Sequence, residues 1–234
     1  MRRLLFLVAL AVLAAGCGSG KTVTVTTTET VVSTVTQTTA QKTAIRVYFL
    51  RDRKVAPVAR EVRQGTWPPL ALAGGPTDRE RQLGLTTAVP DSGAPEHLSA
   101  EGLAQLVYTE SQFAPTKPVT VGGKSYTRAD FEDLTPATLV ESPLPFQAVS
   151  APLRVTGTAN TFEATFDYEL TDPDGKVLSH NFVTATSGSG TRGTFDFTIP
   201  FDAPNGLGKL VVYERSAADG SKTHVVEIPL TLAR

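Results

Sequence analysis

The sequence predicts a mainly β protein in which a smaller α+β domain precedes a β-sandwich. Thr, Val, Gly and Pro are abundant and aromatic residues make up only 7% of the chain, a composition that favours strands and turns. The C-terminal half repeats short segments of alternating apolar and polar residues separated by Gly, Pro and Asp, as β-sandwiches do. With 234 residues, 41% of them hydrophobic, the chain suits two small domains better than one large one.

The N-terminus has the three parts of a secretory signal peptide. Arg2 and Arg3 are followed by an uninterrupted apolar run from Leu4 to Ala15 and by the small residue Gly16. The apolar run is shorter than the roughly 20 residues of a transmembrane helix, so a retained membrane span is the weaker alternative. We therefore predict a signal peptide over residues 1–16 and export of the mature protein.

The end of this segment, Leu13-Ala14-Ala15-Gly16-Cys17, resembles the bacterial lipobox. The resemblance implies cleavage between Gly16 and Cys17, palmitate or similar acyl chains on Cys17, and a lipid anchor on the extracytoplasmic face of the cell membrane. The match departs at Ala14, where Leu, Val or Ile is usual, and an ordinary signal peptide with an incidental thiol is the alternative. Two or more acyl chains on one residue would hold the protein at the membrane stably.

Residues 17–43 are predicted to form a linker. From Lys21 to Gln41 the chain consists mostly of Thr and Val. One face of valines without aromatic or leucine partners buries too little apolar surface to offset the entropy of ordering. We therefore expect a solvated, extended stalk, whose threonines are candidates for O-glycosylation.

The first folded domain is predicted over residues 44–138 and begins with a β-hairpin. Ile45–Leu50 alternates apolar and polar residues, which indicates a strand, and Val55–Val62 gives a second strand that returns antiparallel. Pro57 favours an edge position for the second strand because proline cannot donate a ladder hydrogen bond. The charged residues Arg51–Lys54 form the predicted turn.

Helices and a second hairpin follow in this domain. Thr77 and Glu80 have the spacing of a capping box, which marks a helix start. From Ser99 to about Ser111 the apolar residues recur at helical spacing. The segment from Val119 to Tyr126 contains a Gly-Gly pair between two short extended stretches, which predicts a hairpin.

These segments resemble the GerMN-type domain of sporulation and germination lipoproteins. The residues that carry the resemblance are Ile45–Leu50, Gly75-Pro76-Thr77 with Glu80, Gly84–Pro90 and Leu106–Thr109. The family usually has further strands where this chain runs from Asp91 almost directly into Ser99, so this copy is shortened. The resemblance implies a role in envelope assemblies and no enzymatic activity.

The second folded domain is predicted over residues 142–234. Phe162, Ala164, Phe166, Tyr168 and Leu170 alternate with polar residues, which predicts one long strand with a buried face and a wet face. Asp172–Gly175 follows as a turn. The further predicted strands are Leu178–Thr186, Phe195–Ile199, Leu210–Arg215 and the run containing Val226, Ile228, Leu230 and Leu232.

This half is similar to the immunoglobulin-like domain of bacterial spore-germination proteins. The similarity is carried by Ser142-Pro143, Ala151–Ala159, Phe162–Thr165, Gly175, Phe195 and Glu227–Leu230. It implies an immunoglobulin-like β-sandwich over the whole C-terminal half.

Charge and motifs argue against nucleic acid binding and catalysis. The chain has 22 Lys and Arg against 23 Asp and Glu, and its one basic run is Arg51–Lys54, whereas phosphate binding needs clustered cations. The three histidines lie far apart without metal-ligand spacing, and no nucleophile elbow or phosphate loop occurs. We expect no enzyme, no metal and no cofactor.

The leading functional hypothesis is a lipid-anchored, non-catalytic binding or scaffolding module whose partner is an envelope protein or peptidoglycan. The alternative is a carbohydrate- or peptidoglycan-binding surface lipoprotein, with Trp67 and Tyr213 as candidate exposed aromatics. Glu163, Asp167 and Glu169 form a predicted acidic face that either binds a partner or is simply the solvated side of a strand. A wall hydrolase assembled from distant residues is a third hypothesis.

Overall fold

The computed structural model describes residues 41–90, 98–202 and 205–233. The predicted signal peptide, Gly16, Cys17 and nearly all of the predicted linker lie outside these residues. In the described part of the chain, no helix has the length and apolar character needed to cross a membrane. The described residues belong to one compact unit that contains separate hydrophobic cores for its N-terminal and C-terminal halves.

The N-terminal half is built on the hairpin of β1 (Lys42–Arg51) and β2 (Lys54–Arg63). The strands pair antiparallel, with Tyr48 opposite Pro57. Asp52 and Arg53 form the turn with φ values of 51° and 63°, the left-handed conformation of tight hairpin turns. This hairpin is the one that the alternation of Ile45–Leu50 predicts.

Two helices and a small hairpin pack beside this sheet. α1 (Asp78–Arg81) begins with the predicted capping box, in which Thr77 N donates to Glu80 Oε2 at 2.7 Å and Glu80 N donates to Thr77 Oγ1 at 3.4 Å. α2 (Ala100–Glu110) begins at its predicted cap, Ser99. β3 (Val119–Val121) and β4 (Lys124–Tyr126) form the second predicted hairpin.

Side chains on and just after α2 close the free edge of β1 where a third strand would otherwise pair. Tyr48 N donates to Thr109 Oγ1 at 3.0 Å, and Gln105 Nε2 donates to Tyr48 O at 3.1 Å. Arg46 N donates to Gln112 Oε1 at 2.7 Å, while Gln112 Nε2 donates to Arg46 O at 2.9 Å. The backbone groups of an edge strand are thereby satisfied without further strands.

The C-terminal half is a sandwich of two sheets. A three-stranded sheet has the order β10-β7-β5, and a five-stranded sheet has the order β6-β12-β11-β8-β9. Their bounds are β5 Thr138–Ser142, β6 Ala148–Ser150, β7 Leu153–Ala159, β8 Thr165–Thr171, β9 Val177–Thr184, β10 Gly193–Ile199, β11 Gly206–Arg215 and β12 Lys222–Ala233. β5 pairs with β7, so the sandwich begins at Thr138, four residues before the start predicted from the sequence.

The inner faces of the two sheets supply the core of the sandwich. Phe166 and Phe195 pack with ring centroids 4.9 Å apart, and Tyr168 stacks on Phe197 at 5.2 Å. In β12, Ile228, Leu230 and Leu232 are buried as their spacing predicts. Leu170, Ile199 and Leu210 are fully buried in the same core. The predicted fold class, mainly β with an immunoglobulin-like sandwich, is confirmed.

One predicted strand is wrong at its start. β8 begins at Thr165, and Phe162–Ala164 form a turn of 3-10 helix in which Glu163 and Ala164 have φ values of 53° and 58°. The Phe162 side chain is therefore 72% exposed instead of facing the core. Phe162 N donates to Glu214 Oε2, and Gly188 packs so closely that an added Cβ would lie 2.5 Å from Ala164 Cα, which shows how crowded this turn is.

Candidate functional site

The two halves meet at a buried cluster of Tyr48, Arg128 and Glu141. Arg128 Nη1 lies 2.9 Å from Glu141 Oε1, and the side chains of this pair are only 11% and 12% exposed. Tyr48 donates its hydroxyl to the same carboxylate oxygen. The Arg128 guanidinium lies 4.6 Å from the ring centroid of Tyr108. Burial, reinforced by the Glu141 carboxylate, raises the pKa of Tyr48, so this hydroxyl stays protonated and continues to donate.

A second set of contacts joins the halves through Glu132. Arg192 binds this carboxylate with both arms of its guanidinium, at 2.8 Å from Nη2 to Oε1 and 2.9 Å from Nε to Oε2. Asn160 Nδ2 donates to Glu132 Oε1 at 2.8 Å. The hydrogen bonds from Arg192 hold the pKa of Glu132 below its usual range.

Two further contacts lie at the periphery of this junction. Arg51 Nη1 donates to the backbone oxygen of Glu227 in β12 at 3.1 Å. The Arg79 guanidinium stacks 3.6 Å above the ring of Phe146, in the loop between β5 and β6. Together with the two clusters, these contacts fix the hairpin of β1 and β2, α1 and the segment Arg128–Leu134 against the sandwich.

The junction leaves a cleft of about 610 Å³ between the two halves. The tip of the first hairpin, Arg51–Pro57, forms one wall with Leu83 and Leu85. The segment from Glu132 to Val140 and the β12 residues His224–Ile228 form the other walls. The cleft is thus composed of residues from both halves, and it has the size of a ligand-binding pocket in proteins, ~300–1,000 Å³.

The polar groups of the cleft are mostly paired with one another. His224 Nδ1 lies 2.8 Å from Glu214 Oε1, and Lys54 Nζ donates to the backbone oxygen of Asp133 at 2.5 Å. Thr138 differs, because its Oγ1 is buried and has no hydrogen-bond partner among the described residues. Most buried hydroxyls have a hydrogen-bond partner, and a bound ligand or an ordered water would supply one to Thr138.

The predicted site residues Asp167, Glu169 and Tyr213 come together on the outer face of the five-stranded sheet. Arg215 Nη2 lies 3.1 Å from Asp167, and Lys222 Nζ lies 2.6 Å from Glu169. The two carboxylates are therefore neutralised by cations from β11 and β12. Such internally paired charges offer a partner no excess of negative charge.

The prediction that Tyr213 is an exposed aromatic is wrong. Its side chain is 1% exposed because Lys222 lies over the ring at 4.4 Å and Arg215 lies at 5.5 Å. The Tyr213 hydroxyl donates to Glu169 Oε1 at 2.8 Å. Burial and the Glu169 carboxylate raise the pKa of Tyr213 to about 12. The ring is part of the wall of the sheet and is closed to a stacking ligand.

Glu163 does not join this face. It lies in the Phe162–Ala164 turn, outside β8, and its backbone N donates to Ser189 Oγ at 3.0 Å. The predicted acidic face of three carboxylates is therefore not formed, because the positive φ at Glu163 takes this residue out of the strand alternation.

Trp67 is exposed as predicted, with half of its surface, 51%, open to solvent. It borders a groove of about 330 Å³ that is also lined by Leu106 and Glu110 of α2 and by Pro118–Gly122 around β3. Oε2 of Glu110 is buried and has no hydrogen-bond partner among the described residues. The sequence prediction missed Glu110, although a carboxylate in the last turn of a helix, where the helix dipole is unfavourable, is an available signal.

Comparison with known protein families supports the immunoglobulin-like fold predicted for the C-terminal half. Residues 138–221 match the Gmad2 family, described as the immunoglobulin-like domain of bacterial spore germination. The match begins at the first residue of β5 and ends just before β12. The predicted resemblance of this half is confirmed at that level. No curated protein matches the chain.

Among the described residues, no three His, Cys, Asp or Glu side chains cluster as a metal ion would require. The His224–Glu214 pair is the cleft's only histidine–carboxylate contact within residues 41–90, 98–202 and 205–233. The two residues are joined by one contact, between His224 Nδ1 and Glu214 Oε1, and the His224 side chain is 66% exposed.

Proposed function

We propose that the protein is an extracytoplasmic lipoprotein, anchored through acylated Cys17, whose folded part is a non-catalytic binding module for an envelope protein. The lipobox-like residues Leu13–Cys17 and the Thr- and Val-rich segment after them support the anchor and stalk. The Gmad2 match supports a relation of the C-terminal half to spore-germination proteins.

The observation that carries the binding proposal is the cleft between the two halves. It exists only when both halves are folded and joined, because its walls come from β1, β2, β5 and β12. Its lining combines apolar side chains with both signs of charge and one hydroxyl, Thr138 Oγ1, that has no hydrogen-bond partner in the part of the chain that the structure describes. Mixed polar and apolar lining of this kind is typical of protein–protein contacts that form and dissociate.

Photo-crosslinking of the lipidated full chain in its host cells tests this proposal. A photoreactive amino acid is placed at Asp52 on one wall and, separately, at His224 on the opposite wall, since both are exposed at the cleft. Lys176, in the exposed turn between β8 and β9, is the matched control away from the cleft. We expect the same crosslinked protein from both walls and none from Lys176. Absence of a shared adduct, or the same adduct from Lys176, would contradict the proposal.

A further inference from the structure

The groove beside Trp67 is bordered by this one half-exposed aromatic side chain, and two further exposed apolar side chains lie on the elements that flank it without lining it. Trp67 precedes the turn Pro68–Leu72, in which Leu70 is 59% exposed, and Phe113, just after α2, is 73% exposed. The binding argument therefore depends on Trp67, the exposed aromatic side chain that lines the groove itself. The floor of the groove, from Leu106 and from Pro118–Gly122, carries no charge.

Glu110 supplies the groove's single ionisable group among its lining residues. Its Oε2 is buried and unpartnered, whereas buried carboxylate oxygens normally accept hydrogen bonds. No cation of the described residues forms an ion pair with this carboxylate. Because the carboxylate rotates about its last bond, either oxygen can turn toward the groove. The group therefore has acceptor capacity that a ligand donor would satisfy.

We propose that this groove binds a neutral sugar unit, such as one N-acetylated residue or disaccharide of a polysaccharide. The apolar face of the sugar ring would stack on the Trp67 indole, and a sugar hydroxyl or amide N–H would donate to Glu110. A polar donor with a flat apolar face matches both features, since an apolar ligand would leave the carboxylate unpaired at a cost. The groove volume of about 330 Å³ lies at the lower end of ligand pockets, ~300–1,000 Å³, which suits a small saccharide.

This site is separate from the cleft of the proposed function, because the two share no lining residue. Failure of the saccharide proposal for the groove would therefore leave the protein-partner proposal for the cleft unaffected, and the reverse also holds. In a protein held at the outside of the membrane, the two sites would contact a glycan and an envelope protein at the same time.

The fluorescence of Trp67 reports directly on this groove, because Trp67 is the only tryptophan in the chain. The detergent-solubilised full chain is titrated with a neutral N-acetylglucosamine oligomer, and emission wavelength and acrylamide quenching are recorded at low and high salt. We expect a blue shift and reduced quenching, since a stacked sugar excludes water from the indole. The effect should persist at high salt, because the ligand is uncharged.

Single substitutions test whether the binding response depends on the Trp67 ring and on the Glu110 carboxylate. Glu110→Gln should weaken binding about tenfold, the size of effect expected when a hydrogen bond to a charged acceptor is impaired. Trp67→Ala, followed by calorimetry, should abolish measurable binding. The controls are Glu163→Gln and Phe182→Ala, an exposed carboxylate and a 64% exposed aromatic outside the groove, which should bind as the unaltered protein does.

Three results would overturn the proposal. These are no fluorescence response to the neutral oligomer at millimolar concentration, a response that Glu110→Gln leaves unchanged, and a response given only by a cationic probe such as choline and lost at high salt. Trp67 is half exposed, and Oε2 of Glu110 has no hydrogen-bond partner among the described residues, so neither substitution removes a side-chain hydrogen bond described for the fold. Circular dichroism of each variant checks that the fold is kept.

Discussion

At the scale of single residues, Oε2 of Glu110 has no hydrogen-bond partner among the described residues, a cost to stability that the proposed saccharide site would explain. It lies in the last turn of α2, where the backbone carbonyls give the helix end a partial negative charge. Among the described residues, Glu110 therefore makes no side-chain contact that would favour the folded state electrostatically. Groups of this kind are kept at functional sites, where local rules are broken for a ligand.

Glu110→Gln should therefore stabilise the unliganded protein by about 0.3–1 kcal/mol, since it removes a negative charge from the C-terminus of α2. Urea unfolding of the two proteins measures this difference. Glu101→Gln is the matched control, because Glu101 lies in the first turn of the same helix and pairs with Arg53. That substitution should change stability in the opposite direction. A loss of stability in Glu110→Gln would show that the carboxylate has a structural role.

The buried pair of Arg128 and Glu141 gives a second prediction at this scale. Glu141→Gln leaves the Arg128 guanidinium buried without a counter-charge, which should cost about 3–5 kcal/mol. Asp196→Asn is the control, because the Arg154–Asp196 pair is exposed and such pairs contribute little. Denaturant unfolding distinguishes the two. Equal effects of both substitutions would mean that the junction cluster is not a principal contact.

At the scale of elements, the local signals of the sequence were sufficient for α1, α2 and the two hairpins of the N-terminal half, but not for its short 3-10 helices at Pro68–Leu72 and Arg128–Leu134. The capping box of Thr77 and Glu80 and the cap at Ser99 depend on residues three positions apart, so a linear pattern contains them. The start of β8 was not predictable in this way, because alternation does not register the positive φ at Glu163 and Ala164. Similarly, the burial of Tyr213 depends on Lys222 of a neighbouring strand.

The close contact between β5 and β7 supplies a test at this scale. A Cβ at Gly157 would lie 2.0 Å from Leu139 O and 2.6 Å from Phe195 Cζ. Gly157→Ala should therefore destabilise the sandwich by about 1–3 kcal/mol or more, because the strand cannot move without breaking its pairing. Gly74→Ala is the control, since a Cβ there meets nothing within 4 Å. Equal melting temperatures of Gly157→Ala and Gly74→Ala in a thermal melt would contradict this packing.

At the scale of the whole molecule, the two halves are joined by polar clusters that no sequence pattern predicts. Glu132 and Arg192 are 60 positions apart, and their pairing depends on the way the first half docks on the sandwich. The cleft is likewise a product of this docking, and the groove depends on the position of the β3–β4 hairpin beside α2. The sequence thus predicted that Trp67 is exposed and offered it as a candidate binding residue. For Glu110 the available signal was its place in the last turn of a helix, and no sequence pattern indicated Thr138.

The Glu132–Arg192 contact makes the junction sensitive to acid. The folded-state pKa of Glu132 is lowered, so its contribution is present above the usual glutamate pKa of about 4.3 and is lost as pH falls through the folded-state value. The difference in unfolding free energy between the unaltered protein and Glu132→Gln should therefore shrink from about pH 7 to about pH 3. Urea titrations at both pH values measure it. A difference independent of pH would contradict this role of Glu132.

The central claim at this scale is that Cys17 anchors the module to the outside of the membrane. The most direct test is fractionation of host cells that express the full chain or Cys17→Ala, with external protease added to intact spheroplasts. The anchored protein should remain in the membrane fraction and be digested from outside. Cys17→Ala should be released in soluble form. Membrane retention of Cys17→Ala, or protection of the unaltered protein from the protease, would contradict the claim.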